Sequence, residues 1–526
     1  MKYIIEKINF PILRSDYVCQ HCECNTKIRK VMAYLLNVSI TEVLIGITVG
    51  LICWLWMRSR RPADFPPGPI PLPLIGNVHQ LSGGNIVKAF RRLRKEYGDI
   101  FSLSLGSSWV IVVNGADDLR ELLLKRGDSI SDRPNIFILK LRDNHGIIAS
   151  NGTTWRQQRT FAHLKLRDFG FGRRSFESRI SEEVDIFLKY LEDLKGKPFD
   201  VSEKLNISVS NNVMSIIIGR RFDYDDPKFK YFIGLLTANF KNAALAGPLY
   251  FFPILAKLPG DMFGAKKIVD ISVKLRQFYR DEIAEHKASF DENNIRDFTD
   301  AYLKEIALHK NEKDTTFTEK QLMWLISDFF TAGTETTSTT LRWAMVFLLN
   351  NPKVQTKMRK EIEDVIGSGR PPQLSDQKNL NYCVAVIHEV LRLGNISPTS
   401  LPHSVSEDVF YKGYKIPKGA IVMPMLDSVL SDESNFTNSH EFIPERFIDN
   451  DGNLVDLDKV IAFSIGKRNC TGESLARMEL FLYLTSLIQR FELVPPEGED
   501  PPTLEGFYGT THSPLPFTLR VLSRHK

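Results

Sequence analysis

The stretch FSIGKRNCTG, Phe463 to Gly472, constrains this chain more than any other, because it sets a cysteine in a basic turn bracketed by glycines. Gly466 and Gly472 permit a tight turn and let the backbone approach a flat ligand, with amide N–H groups directed at the sulfur. The thiolate is the form of cysteine that ligates metals, and Arg468 or Lys467 beside it would lower the thiol pKa. The following residues, ESLARMELFLYLTSLIQRF, place apolar side chains at helical spacing. Cys470 therefore lies near a helix N-terminus, whose dipole also favours an anionic sulfur. Taken alone, a cysteine in a basic turn reads equally as a small buried hydrophobe.

The 526 residues could hold two to four domains by length alone. Six cysteines are too few and too scattered for a disulfide scaffold, which points to a reducing, cytosol-facing compartment. A net charge of +5 argues against a general nucleic-acid binder, though a local basic face for an acidic partner stays open. Residues 1–31 read as a polar extension. Cys19, His21, Cys22 and Cys24 within it are zinc-ligand types spaced too closely to close a tetrahedron without strain. Residues 32–60 read as a transmembrane anchor: VLIGITVGLICWLWM with Trp54 and Trp56 near the headgroups and Arg58, Arg60 and Arg61 as the cytoplasmic flank. Basic residues at 27–30 nearly balance that flank, so a chain starting at Met32 would orient more clearly. The proline-rich segment 61–75 reads as a semi-rigid hinge or as a PxxP ligand. Residues 76–526 show no second linker or repeat and read as one large, mainly α domain with a small β region near residues 100–113. Amphipathic helices are expected at 178–195, 268–290 and 353–366.

Three further motifs follow in order. Trp155 and Arg159 share one face of a helix. The run from Gln321 to Leu349 is long and apolar, yet its middle holds Gly333 and the threonines 336, 337, 339 and 340, which are poor helix formers and whose hydroxyls can bond the carbonyl four residues back. Such a breach of local rules marks a functional stretch. Glu389 and Arg392 are three apart on a helix, and Arg446 follows in PERF.

The pattern F-x-x-G-x-R-x-C-x-G, filled by Phe463, Gly466, Arg468, Cys470 and Gly472, resembles the haem-binding loop of the cytochrome P450 family. The resemblance extends from about residue 60 to the C-terminus and is nearest the microsomal drug- and steroid-metabolising branch. It implies haem b with Cys470 as the axial iron ligand, and Trp155, Arg159, Arg133, His403 and Arg468 as partners of the haem propionates. AGTETT matches the family's oxygen-activation motif, which implies a bulge at Ala332 and Gly333 that makes room for dioxygen, with Thr336 and Glu335 serving proton delivery. Glu389, Arg392 and Arg446 correspond to a buried structural triad. Substrate contacts are implied from Ile136 to Ile148, Phe240 to Phe252, Phe329 to Thr336 (Phe330 and Ala332 included), Ser397 to Leu401, and Phe507 to Thr511.

These implications describe a monooxygenase that inserts one oxygen atom from O2 into a lipophilic steroid, fatty acid or xenobiotic. Its electrons would come from NADPH through cytochrome P450 reductase, with cytochrome b5 as a further partner. The expected location is a single-pass anchor in the endoplasmic reticulum membrane, with the catalytic domain facing the cytosol and no nucleic-acid partner. The basic run Arg156, Lys165, Arg167, Arg173 and Arg174 suits an acidic electron donor. Two rivals stand beside this reading: a haem-thiolate isomerase or dehydratase needing no reductase, and a non-catalytic haem-binding protein.

Overall fold

The computed structural model describes residues 40–81, 85–170 and 176–524. The N-terminal extension with its Cys/His cluster, the Met32 start, and Arg173 and Arg174 lie outside them. Ile40–Ser59 forms a helix of 20 residues in a unit of its own, and residues 61–71 with 75–526 make up the large unit.

The expected membrane anchor is corrected here. No helix among the described residues is long and apolar enough to cross a membrane. The uninterrupted apolar part of Ile40–Ser59 starts only after Thr41 and Glu42, and its Thr48 hydroxyl turns back to donate to the Leu44 carbonyl at 2.7 Å. From Val43 to Met57 such a helix rises only about 22 Å against a hydrocarbon core of about 30 Å. The transmembrane helix, and with it the single-pass endoplasmic-reticulum placement built on it, therefore lose their support.

The large unit is mainly α. The three amphipathic stretches form the helices Glu177–Asp193, Ala265–Ala288 and Pro352–Val365. At its centre runs Glu319–Asn350, 32 residues long. The Thr318 hydroxyl caps its start by accepting from the Gln321 amide at 3.1 Å, and Pro352, which cannot continue a helix, opens the next one. Most of its side chains are buried between Ser202–Ile217, Asn381–Gly394 and Glu473–Arg490.

The expected bulge is absent. The helix is unbroken α through Ala332 and Gly333, and Gly333 serves packing: a Cβ there would stand 2.7 Å from Cγ2 of Val213 on Ser202–Ile217. Gly333→Ala is expected to destabilise by about 1–3 kcal/mol through overpacking, and Val213→Ala in the same chain to recover most of that loss, as a thermal-unfolding double-mutant cycle would show.

The β region is a four-stranded sheet in the order Ile100–Leu105, Ser108–Val113, Ile421–Pro424, His403–Ser404. Its second and third strands run parallel and the other neighbours antiparallel. Part of the proline-rich segment docks on it: the carbonyls of Pro66 and Pro67 accept from Ser102, and Phe65 packs edge-on against Trp109 at 5.3 Å.

A polar seam joins Ser202–Ile217 to Glu473–Arg490. Asn212 donates to the buried Glu479 carboxylate at 2.9 Å, and Ser208 pairs with the Tyr483 hydroxyl at 2.6 Å. Burial without a cation raises Glu479 to about 8. The folded chain then holds a proton that the unfolded chain releases above the ordinary carboxylate range, so stability falls as pH rises from about 4.5 to about 8. Glu479→Gln is expected to flatten this dependence in urea melts, leaving pH 4 unchanged and adding about 4 kcal/mol at pH 8.

Candidate active site around Cys470

The cysteine loop is held from several sides. Its turn is closed by the Cys470 amide donating to the Phe463 carbonyl at 2.9 Å. Gly466 has φ +84° and lies so near the Leu123 carbonyl that a Cβ would come within 2.1 Å, so no other residue fits without moving the loop. Gly472 then leads into the helix Glu473–Arg490.

The thiol departs from expectation. Burial pushes it up, more than the amide N–H groups of Gly472 and Glu473 and the Arg159 guanidinium draw it down; the Glu473 carboxylate adds to the rise. Lys467 pairs instead with Asp128, and Arg468 spends its hydrogen bonds on the carbonyls of Ser131, Ile147 and Ser150 at 2.7, 3.0 and 2.7 Å. The cation that acts on the sulfur is therefore Arg159, whose guanidinium donates to the Asn469 carbonyl at 2.8 Å and to the Thr471 hydroxyl at 3.1 Å, on either side of Cys470. Although burial dominates its chemistry, the Cys470 side chain is accessible, as is Ala332 in the midst of an otherwise buried helix. Each is thus open to solvent among neighbours that are largely buried.

Beside the loop the fold gathers cations. Arg468 lies 3.9 Å over the Trp155 ring, on the helix Gly152–Asp168. Arg133 donates to the carbonyls of Leu401 and Pro402 at 3.2 and 2.8 Å, next to His403, whose Nδ1 donates to the Ile130 carbonyl at 2.7 Å. All four side chains are buried. Burial first, then repulsion from Arg159, lowers Arg133 to about 9; burial, then repulsion from Arg133 and Arg159, lowers Arg468 to about 8; His403 is lowered by burial and by Arg133 and Arg468. Asp132 offsets this only in part at Arg468. The Trp155 Nε1–H is buried with no acceptor among the described residues.

An unneutralised buried cation cluster with a spare N–H donor asks for an anion. Haem b, with two carboxylates on a flat ring, fits that demand, and the accessible Cys470 fits a metal on the ring.

The central helix brings Thr336 and Glu335 near its accessible Ala332. The Thr336 hydroxyl donates to the Ala332 carbonyl at 2.6 Å, and Thr340 repeats the pattern on Thr336 at 2.9 Å. Burial raises the Glu335 carboxyl, while Arg342 and the Thr339 hydroxyl draw it down.

Among the substrate residues, Phe507 is 54% exposed on the Gly506–Tyr508 strand. Phe330 is elsewhere: it is buried in an aromatic stack with Tyr279 and Phe232, at 6.0 and 5.7 Å. Asp328 gave no motif yet ties the loop before Trp155 to the central helix. It pairs with Arg142 and accepts from the amides of Ile147 and Ile148 at 2.6 and 2.9 Å. Its sequence signal was a lone acid in the apolar run LISDFF.

Glu389, Arg392 and Arg446 come together in the fold. Arg392 donates two hydrogen bonds to Glu389, at 2.7 and 2.8 Å, with both side chains fully buried, and Arg446 adds a third at 3.1 Å.

The family profile described as Cytochrome P450 matches residues 66–521. Cytochrome P450 2C23 of Rattus norvegicus is 38% identical over 498 residues, covering 93% of this chain and 100% of its own. Cytochrome P450 2C3 of Oryctolagus cuniculus is 40% identical over 474 residues (88% and 96%), and Cytochrome P450 2E1 of Mus musculus 37% identical over 494 residues (91% and 99%). With that coverage, and an accessible cysteine in a loop held by buried arginines, the chain belongs to the cytochrome P450 family: it is a haem-thiolate monooxygenase that draws electrons from NADPH through a reductase and inserts one atom of O2 into a lipophilic substrate.

Proposed function

We propose that Cys470 and Ala332 face a common recess, which works through a division of labour among named residues. The observation that carries this is the pair of buried arginines, Arg133 and Arg468, with His403 beside them and the Trp155 N–H unpaired among the described residues. Those four residues take the two carboxylates of the cofactor, and Cys470 takes the iron. Arg159 joins the cofactor set from the other side, as the clasp that holds Asn469 and Thr471 around the sulfur. When bound, haem ligated by thiolate supplies the electron push needed to split dioxygen.

The chain's own part is proton handling. Thr336 holds a hydroxyl that donates to the Ala332 carbonyl at rest and can turn toward an acceptor in the recess. Glu335, whose carboxyl burial raises above its ordinary range, takes up a proton and gives it up on that side. Ala332 and Phe507 contact the lipophilic substrate, while Phe330 shapes the wall from behind.

Arg156, Lys165 and Arg167 form the docking face for the acidic reductase, and cytochrome b5 would use the same charges. Glu389, Arg392 and Arg446 keep the frame.

Thr336→Ala and Glu335→Gln in the full chain with reductase test the proton assignment. Each is expected to keep NADPH oxidation within about threefold while product falls about tenfold and hydrogen peroxide rises to match. Unchanged coupling in both would remove Thr336 and Glu335 from the mechanism.

A further inference from the structure

Arg342 lies two turns beyond Glu335 on the central helix, where a helical arginine would ordinarily reach water or pair with one acid. It does neither. Its guanidinium is largely buried, and its Nε–H has no partner among the described residues. One terminal nitrogen stands 4.0 Å from the Glu335 carboxylate and donates to the Thr339 hydroxyl at 3.0 Å, and that hydroxyl in turn donates to Glu335 at 3.3 Å. The other reaches the Ser202 hydroxyl at 3.5 Å, and the Ser202 amide donates to Asp200 at 2.8 Å. Asp200 is exposed and lines a surface cleft of about 370 Å³ with Glu499, Asp500 and Phe517.

Polar contacts thus lead from Glu335 through Arg342 to Ser202, whose hydroxyl meets the arginine and whose main-chain amide holds Asp200 at a cleft open to solvent. One guanidinium lies between two carboxylates, one inside and one at the surface.

We propose that Arg342 is a positioning residue shared between Glu335 and Asp200, which sets the ionisation of Glu335 and opens its supply of protons from the Asp200 cleft. The inference rests on the proton role of Glu335 proposed above. When Arg342 leans inward it stabilises the Glu335 carboxylate; when it leans toward Asp200 it leaves Glu335 to take up a proton. The proton that Glu335 passes into the recess is replaced by one from water in the cleft, so one enters for each that leaves and nothing is oxidised or reduced. Arginine does not itself carry the proton, because it stays protonated at any working pH. Its movement decides whether water reaches the acid.

The charged groups that act on this pair agree in sign. Burial lowers Arg342, while Glu335 and Asp200 both raise it; burial raises Glu335, and Arg342 lowers it. Removing the cation should therefore raise the Glu335 midpoint. Removing Asp200 should lower it, since Glu335 then has Arg342 to itself.

The test uses the full-length holoenzyme and two readouts. The first is the infrared carboxyl band of the resting protein titrated without an electron donor, assigned to Glu335 by its loss in Glu335→Gln. The second is hydrogen peroxide formed per NADPH with reductase. Arg342→Gln is expected to raise the midpoint by about one pH unit and to lower coupled product about fivefold, with Arg342→Lys recovering part of both. Asp200→Asn, an exposed change, is expected to move the midpoint the opposite way, and it decides the matter if Arg342→Gln does not fold. A midpoint unmoved by Asp200→Asn, with Glu335→Gln still uncoupled, overturns the shared-arginine inference alone. Full coupling in Glu335→Gln removes the proton role on which it rests.

Discussion

Cys470→Ser should yield a folded chain without monooxygenase activity. The serine hydroxyl fits the same turn, because the loop is shaped by the Cys470 amide on the Phe463 carbonyl and by Gly466 against Leu123, neither of which involves the sulfur. Thermal unfolding of the apoprotein is therefore expected to change by less than about 1 kcal/mol. What disappears is the thiolate. The reduced protein with carbon monoxide should lose its strongly red-shifted Soret band, and product formation should fall by well over the ~100-fold that removing a mere hydrogen-bond partner of a metal ligand costs. A red-shifted band kept by the serine variant would mean that another residue holds the iron.

Arg392→Ala should be the most destabilising single change outside the cofactor site. It strips Glu389 of two hydrogen bonds and leaves a carboxylate at zero exposure with only Arg446 and the Ile443 amide, 2.9 Å away, in support. It also frees the carbonyls of Leu430, Ser439 and Glu441, which Arg392 holds at 2.9, 2.7 and 3.1 Å. Breaking a buried pair from one side costs about 3–5 kcal/mol, a large share of the 5–15 kcal/mol that ordinarily holds a chain folded. Little haem-loaded protein should accumulate at 37 °C, and urea midpoints at 15 °C should show the loss directly. Arg392→Lys keeps the charge but not the planar fork, so it should recover less than half. Loss below about 1 kcal/mol would show that the triad is ornamental.

Much of the site was legible because its chemistry is written in contiguous residues. A cysteine loop, a threonine-rich helix turn and an E-x-x-R pair each carry their spacing within one element, and each took the predicted secondary structure. The threonine pattern was readable as physics: the hydroxyls of Thr336 and Thr340 do bond the carbonyls four residues back.

What escaped depends on partners far along the chain. Arg159 reaches residues 310 positions away, so nothing near it in sequence shows that it, and not Lys467 or Arg468, attends the sulfur. Gly333 was taken for a bulge because the residue it makes room for, Val213, belongs to another helix. Phe330 carries the right chemistry for a substrate wall but points into an aromatic stack that periodicity cannot orient. The anchor failed on length: its composition is apolar, but the unbroken part is short.

The Asp328 clamp bears on how this protein can change over generations. It grips the loop from Ile136 to Ile148 chiefly through main-chain amides, which every residue type but proline possesses. Apart from Arg142, which pairs with Asp328, and Gly146, where a Cβ would stand 2.3 Å from the Asp328 Oδ2, side chains along that loop can therefore drift while its path stays fixed. Were the loop to line the substrate, single substitutions there would alter selectivity on a path that holds.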